Sequence, residues 1–237
     1  MTDKALAGRV TLVTGASRGI GYFAALALAK AGSHVIALAR TSGALEELDD
    51  EIKAAGGEAT LVPMDLKSPD GLDQLGGIIH QRWGRLDGLL GNAAILGDIT
   101  PAPHIDPKKW DEVLAVNVTA NARLIRSLDP LLRSSKSGRA LFMTSSVARS
   151  FKPYWGSYAA SKAALEALVL SYAGEVEDST LKVNLFDPLR TRTAMRAKAM
   201  PGEDPQILKH PRDISDQIVG MLSPSCVQHG QLVIAQA

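Results

Sequence analysis

Of 237 residues only Cys226 is a cysteine, so no disulfide can form within the chain, which is compatible with a reducing compartment. An excess of charge of one sign is equally lacking. With 26 Lys and Arg against 25 Asp and Glu, the formal net charge of +1 makes no field that would gather nucleic acid or an anionic membrane, so small or neutral partners are expected. No apolar run approaches the roughly 20 residues of a spanning helix. The most lipid-like stretch, YFAALALA at 22–29, is closed by Lys30 and reads as a buried helix. The amino terminus, MTDKALAGRVTLVTG, carries charges at Asp3, Lys4 and Arg9 and has no small-residue cleavage pattern. A secretory signal is therefore not expected, and the cytoplasm is the expected location. The five histidines, His34, His80, His104, His210 and His229, show no close spacing with carboxylates, and no metal is expected. Aromatics are few; Trp83, Trp110 and Trp155 suit a core or an interface, although Trp155 is near enough to Tyr158 to touch a substrate.

What the chain has is 46% hydrophobic residues, enough for one substantial core, and one domain is expected. Apolar runs rich in Val, Ile and Leu recur between helix-length intervals: RVTLVTG, HVIALAR, ATLVPMD, LDGLLGNA, RALFMTSS, LKVNLFDP and QLVIA. Nearly continuous runs suit strands covered on both faces, and the intervals suit parallel crossovers, so the pattern predicts an α/β doubly wound sheet. Ser42 is the expected cap of a helix carrying Leu45, Leu48 and Ile52, stopped by Gly56 and Gly57. Asp106 and Pro107 open a longer one through Trp110, Val113, Leu114 and Val118. Between 189 and 212 periodicity is lost and Pro201, Gly202, Pro205 and Pro211 collect, which predicts a mobile loop or short lid.

Directly after the first strand comes Thr14-Gly15-Ala16-Ser17-Arg18-Gly19-Ile20-Gly21. Three glycines there permit a tight turn, approach of a phosphate to backbone N–H groups, and close helix packing, as a dinucleotide pyrophosphate needs. A P-loop is excluded, because Tyr22 and Phe23 follow Gly21 where Lys and Ser or Thr are required. Gly15-Ala16-Ser17-Arg18-Gly19 also satisfies the G-x-S-x-G of a serine hydrolase, with Asp187 and His210 or His229 following in the required order. Too little chain precedes Ser17 to build the oxyanion-hole loop of such an enzyme. At the end of the second strand Arg40 suits the extra phosphate of NADP, where an acidic residue would hold the ribose of NAD; Arg18 could add a second cation.

Tyr158 and Lys162 in GSYAASKAALEAL lie one helical turn apart, roughly 6 Å along the axis, so the ammonium can act on the phenol. A nearby cation stabilises a phenolate and lowers its pKa, which makes a tyrosine useful as an acid or base at neutral pH. At helical spacing alone such a pair is an ordinary surface contact. Here it follows a strand whose carboxyl end delivers Ser145 and Ser146, where open α/β sheets bind ligands.

Together TGASRGIG, the Asn92-Ala93-Ala94 triplet, Asn117, Ser145 and the Tyr158/Lys162 pair resemble, in order and spacing across nearly the whole chain, the short-chain dehydrogenases and reductases. The resemblance implies a Rossmann-like fold with a seven-stranded parallel sheet, a nicotinamide cofactor across its strand ends, and self-association. It makes Tyr158 the general acid or base, Lys162 its partner and a ligand of the nicotinamide ribose, Ser145 the group that orients the substrate oxygen, and Asn117 a support of the proton relay. It places Gly15, Ser17, Arg18, Gly19, Ile20 and Gly21 at the cofactor, with Arg40, Asp65 and Leu66, Asn92 and Ala93, and Thr193. Asp65 has a plainer reading as the cap of a helix opening at Ser68 and Pro69. Two positions depart from the family pattern: Ala94 stands where a glycine is usual, and Leu189 follows Pro188 where a glycine is usual. Because a leucine takes positive φ only at a cost, a different path after Pro188 is expected. The expected activity is NADP(H)-preferring, reversible hydride transfer to a small-molecule carbonyl or from an alcohol. The alternatives are a cofactor-binding sensor or scaffold, marked by loss of Tyr158, Lys162 or Ser145, and the Ser17 hydrolase.

Overall fold

The computed structural model describes residues 4–236; Asp3, among the charges of the amino terminus, lies outside them. In chain order the principal elements are β1 (Val10–Thr14), α1 (Gly19–Lys30), β2 (His34–Ala39), α2 (Ser42–Ala54), β3 (Glu58–Pro63), α3 (Pro69–Trp83) and β4 (Gly88–Gly91). There follow α4 (Pro107–Leu114), a π-helical turn (Ala115–Thr119), α5 (Ala120–Ser134), β5 (Arg139–Met143), α6 (Val147–Ser150) and α7 (Gly156–Glu175). The chain ends with β6 (Lys182–Asp187), α8 (Ala194–Ala199), α9 (Ser215–Leu222) and β7 (Leu232–Ile234). The strands form one parallel sheet in the order β3-β2-β1-β4-β5-β6-β7. Order reverses between β1 and β4, and such a switch opens a crevice beyond the strands' carboxyl ends.

Helices cover both faces. On one, α3, α5 and α7 contribute Leu72, Leu124, Leu128 and Leu165 to a core shared with Leu12, Leu89 and Phe142. On the other, α1, α2 and α9 contribute Leu28, Leu45, Ile52 and Ile218 against Val13, Val35 and Leu141. β1, β4 and β5 are buried throughout, as their continuous apolar runs require, whereas the edge strands β3 and β7 are only half covered.

Local expectations fare unevenly. Asp106 caps α4, accepting from the Lys108 N–H at 2.8 Å, with Pro107 in the first turn. Ser42 is not a cap: it is the first helical residue of α2, the cap position belongs to Thr41, and neither side chain closes a capping bond. α2 stops where Gly56 turns to φ +73°. Nor does Asp65 cap α3; its Oδ1 accepts from the Lys67 N–H at 2.9 Å in a local turn, and Ser68 holds the cap position. Within 189–212 the chain folds α8 and two short 3₁₀ turns at Pro205–Ile207 and Pro211–Ile214, stapled by Thr191 alongside Lys209. No helix among the described residues is long and apolar enough to cross a membrane.

Candidate active site

Along the carboxyl ends of the strands runs a cleft of about 890 Å³, lined by the turn after β1, by Arg40 after β2, by Asp65 and Leu66 after β3, and by Asn92–Gly97 after β4. Its far wall is Met143, Thr144, Tyr158 and Lys162, and its rim includes Arg192, Thr193 and Met195. All seven strands being parallel, every one of these loops emerges on the same side. The predicted residues Gly15, Ser17, Arg18, Gly19 and Ile20 all line it.

At the turn, Gly15 takes φ +67°, and a Cβ there would press on Ala93 at 3.0 Å. A Cβ on Gly21 would run into the Gly15 carbonyl oxygen and the Asn92 amide, so Gly21 is required for α1 to sit against the turn. Asn92 secures the same turn from β4: its Nδ2 donates to Thr14 O at 2.9 Å. Thr14, the first residue of the turn motif but given no role by it, completes the clasp, its hydroxyl accepting from the Asn92 and Ala93 N–H groups and donating to Leu90 O. α1 begins with no side-chain cap and no acidic residue in its first turn, leaving its N-terminal N–H groups and dipole for an anion. Arg18 and Arg40, both exposed on the cleft, have no ion-pair partner among the described residues. This is a donor set that fits a phosphorylated dinucleotide.

Tyr158 and Lys162 come to the cleft on successive turns of α7, both nearly inaccessible to solvent. Lys162 Nζ donates to Met143 O at 2.8 Å and lies 5.7 Å from the centre of the Tyr158 ring. Burial dominates the acid–base behaviour of both. It lowers Lys162 to about 8, with Glu166 and Asp187 pulling the other way. It pushes Tyr158 well above its ordinary value, and the charge of Asp187 adds to that push. The expectation of a lowered phenol is therefore not met in the free protein: burial and the charge of Asp187 raise it, and Tyr158 rests protonated.

Asn117 sits in the π-helical turn, fully buried, with its side chain pointing at its neighbours across the site. Its Oδ1 accepts from Ile95 N at 2.8 Å, while Nδ2 donates to Ile95 O and to Ser161 Oγ, both at 2.9 Å. It thus binds the β4 loop to α7, and a π-turn at such a point re-aims a side chain that an unbroken helix would carry elsewhere. Ser145, like Gly21 and Asn117, is a predicted residue that does not line the cleft; it is half-buried just past β5, and the hydroxyl's only hydrogen bond among the described residues is a long one, accepted from Val147 N at 3.5 Å. Thr193 does reach the cleft, caps α8 by accepting from Arg196 N at 3.1 Å, and would be the first neighbour of a Cβ on Gly19, at 3.5 Å.

The different path expected after Pro188 is also corrected. Leu189 adopts φ +57°, the left-handed conformation that a glycine usually supplies. Its N–H donates to Asp187 Oδ1 at 3.0 Å.

The hydrolase constellation is not assembled. Asp187 pairs with Arg149, His229 uses both ring nitrogens at Val183 N and Ala173 O, His210 caps a 3₁₀ turn, and Ser17 meets no histidine.

The family model for the short chain dehydrogenases matches residues 9–204. The chain is 43% identical over 209 residues to the oxidoreductase YciK of Escherichia coli K12, covering 87% of this chain and 82% of that protein. It is 35% identical over 185 residues to a 3-oxoacyl-[acyl-carrier-protein] reductase of Synechocystis, covering 78% and 74%. A short chain dehydrogenase of Shigella flexneri solved with NADP superposes with a TM-score of 0.95 at 39% identity, both chains covered in full. One from Escherichia coli CFT073 solved with NADPH gives 0.93 at the same identity and coverage. The chain belongs to the short-chain dehydrogenase and reductase family and is an oxidoreductase.

Proposed function

We propose that the protein is an NADP(H)-preferring oxidoreductase that transfers hydride reversibly between the nicotinamide and a small-molecule carbonyl or alcohol. The observation that carries this is the pairing, in one cleft, of an uncapped helix start flanked by unpaired Arg18 and Arg40 with the buried Tyr158 and Lys162. Relatives solved with NADP and NADPH support the choice of cofactor. The bound nicotinamide would supply or accept the hydride. In reduction Tyr158 gives its phenolic proton to the substrate oxygen; in oxidation it takes one back. Because burial keeps the phenol protonated, reduction starts from the resting state of the site. Lys162, fixed by Met143 O, stabilises the phenolate left behind. Ser145 holds the substrate oxygen after a rotation of its free hydroxyl, Asn117 braces the loop beside it, Asp65 and Leu66 flank the adenine, and Thr193 meets the carboxamide.

Leu96, Val147 and Trp155 pack around Tyr158, with Met195, Ala199 and Met200 laid over them from α8 and its end. An apolar wall of this kind, roofed by two flexible methionines, suits a carbonyl bearing a hydrocarbon substituent, while Arg192 and Lys198 on the same cleft offer partners to an anionic group farther along the substrate. The test is NADPH and NADH oxidation over a panel of aliphatic and aromatic aldehydes, ketones and α-keto acids. Tyr158→Phe is expected to lose at least 10²-fold in kcat with NADPH binding retained. Unchanged turnover would remove Tyr158 from its role, and NADPH binding without turnover on the whole panel would favour the sensor reading.

A further inference from the structure

The mechanism leaves one buried charged cluster unused. Asp187 ends β6 with its side chain 2% exposed, although nothing in hydride transfer calls for a carboxylate there. Both its oxygens are engaged: Oδ2 accepts from Arg149 Nη2 at 2.8 Å and Oδ1 from the Leu189 N–H at 3.0 Å. Arg149, on α6, also pairs with Glu166 of α7, whose Oε1 accepts the Thr144 hydroxyl at 2.5 Å. Glu166 stands one helical turn beyond Lys162, as Lys162 stands beyond Tyr158. The end of β6, α6, α7, the residue after β5 and the start of the lid segment therefore meet at one guanidinium and two carboxylates.

Leu189 is the joint. At φ +57° a side chain with a Cβ is strained, and conformations of this kind persist where surrounding groups over-determine them. The Leu189 side chain is 44% exposed and belongs to none of the hydrophobic clusters that would hold the turn. What holds it is the hydrogen bond from its N–H. Three residues on, the chain reaches Arg192 and Thr193 at the cleft rim, then α8 with Met195 over the apolar wall.

We propose that Asp187 is a positioning residue of the active site, whose carboxylate locks the left-handed turn at Leu189 in place of a glycine and ties it through Arg149 and Glu166 to the helix carrying Tyr158 and Lys162. The proposal rests on the reductase reading above for its kinetic readout only. Asp187 does not line the cleft; it sets where Thr193 and the lid stand. Asp187→Asn keeps an acceptor for the Leu189 N–H and loses the ion pair. Asp187→Ala loses both, with Arg149 free to turn its partly exposed guanidinium to water. Leu189→Gly makes the turn without help.

The experiment compares the wild type, Asp187→Ala, Asp187→Asn, Leu189→Gly and the double variant Asp187→Ala with Leu189→Gly. Each is read by kcat and KM and by amide hydrogen exchange of residues 189–200. Expected are a fall of 10- to 100-fold in kcat/KM for Asp187→Ala, with faster exchange confined to 189–200. A smaller fall is expected for Asp187→Asn, near-wild-type behaviour for Leu189→Gly, and recovery of at least tenfold in the double variant. Recovery by a glycine two residues away reports the turn itself, which a general loss of stability would not produce. Less than a twofold effect of Asp187→Ala, or no recovery in the double variant, overturns the proposal. If the wild type reduces nothing on the panel, the reductase reading fails while hydrogen exchange still decides the role of Asp187. Should Asp187→Ala fail to fold, Asp187→Asn against Asp187→Asn with Leu189→Gly poses the same question.

Discussion

Lys162 is a buried cation whose benefit and cost fall in different places. Burial lowers it to about 8 from an ordinary 10.5, so the unfolded chain holds its proton more strongly than the fold does. The sign follows: the fold carries the full cost below about pH 8, and that cost disappears as pH rises to 10.5 and the unfolded lysine also deprotonates. Lys162→Met is therefore expected to raise stability at pH 7 by roughly 1–3 kcal/mol, since Arg149 still pairs both nearby carboxylates, and to lower kcat at least 10²-fold. Urea unfolding at pH 7 and pH 10 checks it. The gain must shrink at the higher pH, and a variant less stable than wild type at pH 7 would refute the assignment of a stability cost to this residue. At this scale the sequence is informative where a residue type has few other uses at its spacing. Tyr158, Lys162 and the glycines of the turn could be placed from it. The direction of the Tyr158 shift could not, because spacing shows the cation and hides the desolvation. Glu166 and Arg149 were missed, although the acid one turn beyond Lys162 was a visible signal.

Elements were legible in proportion to their hydrophobic continuity. All seven strands stand where Val, Ile and Leu runs predicted them, because buried parallel strands need such runs. The π-turn around Asn117 was invisible: the helix predicted from Asp106 through Val118 runs straight across it. The lid was seen as a break in periodicity but not as structure: α8 is only six residues with no buried side chain, too short to show a helical stripe. Leu189 shows why a local rule can fail, the cost of its φ being offset, on the proposal above, by the bond its N–H donates to Asp187 two positions earlier. The β1–α1 joint has no such freedom. A methyl on Gly21 meets the Gly15 backbone and the Asn92 amide, neither of which can move without undoing the clasp to Thr14. Gly21→Ala is expected to destabilise by about 1–3 kcal/mol and to weaken NADPH binding at least tenfold. Fluorescence titration with NADPH together with thermal unfolding checks both, and an alanine that binds as wild type would show that the turn is looser than this packing.

Across the whole molecule, the cleft draws on the carboxyl ends of β1 to β6, and so on loops rooted in both apolar layers. A ligand lying along it touches segments packed on either face of the sheet and stabilises them as one cooperative unit. Binding at a hundredfold excess over Kd adds about 2.7 kcal/mol to the folded state. For a chain of this length that corresponds to a rise in Tm of roughly 5–10 °C. On the proposed NADP preference, discrimination would rest on the 2′-phosphate and fall to Arg18 and Arg40, which have no ion-pair partner among the described residues. With a tenfold preference for NADPH, NADH at equal concentration stabilises by about 1.4 kcal/mol less, a difference of roughly 3–6 °C. Arg40→Ala is expected to abolish most of that difference while leaving the NADH shift as it was, because the adenosine ribose of NADH offers Arg40 no phosphate to pair. Thermal scans of both proteins with each cofactor separate the possibilities. Equal shifts in the wild type would end the NADP preference, and an unchanged preference in Arg40→Ala would move the phosphate to Arg18.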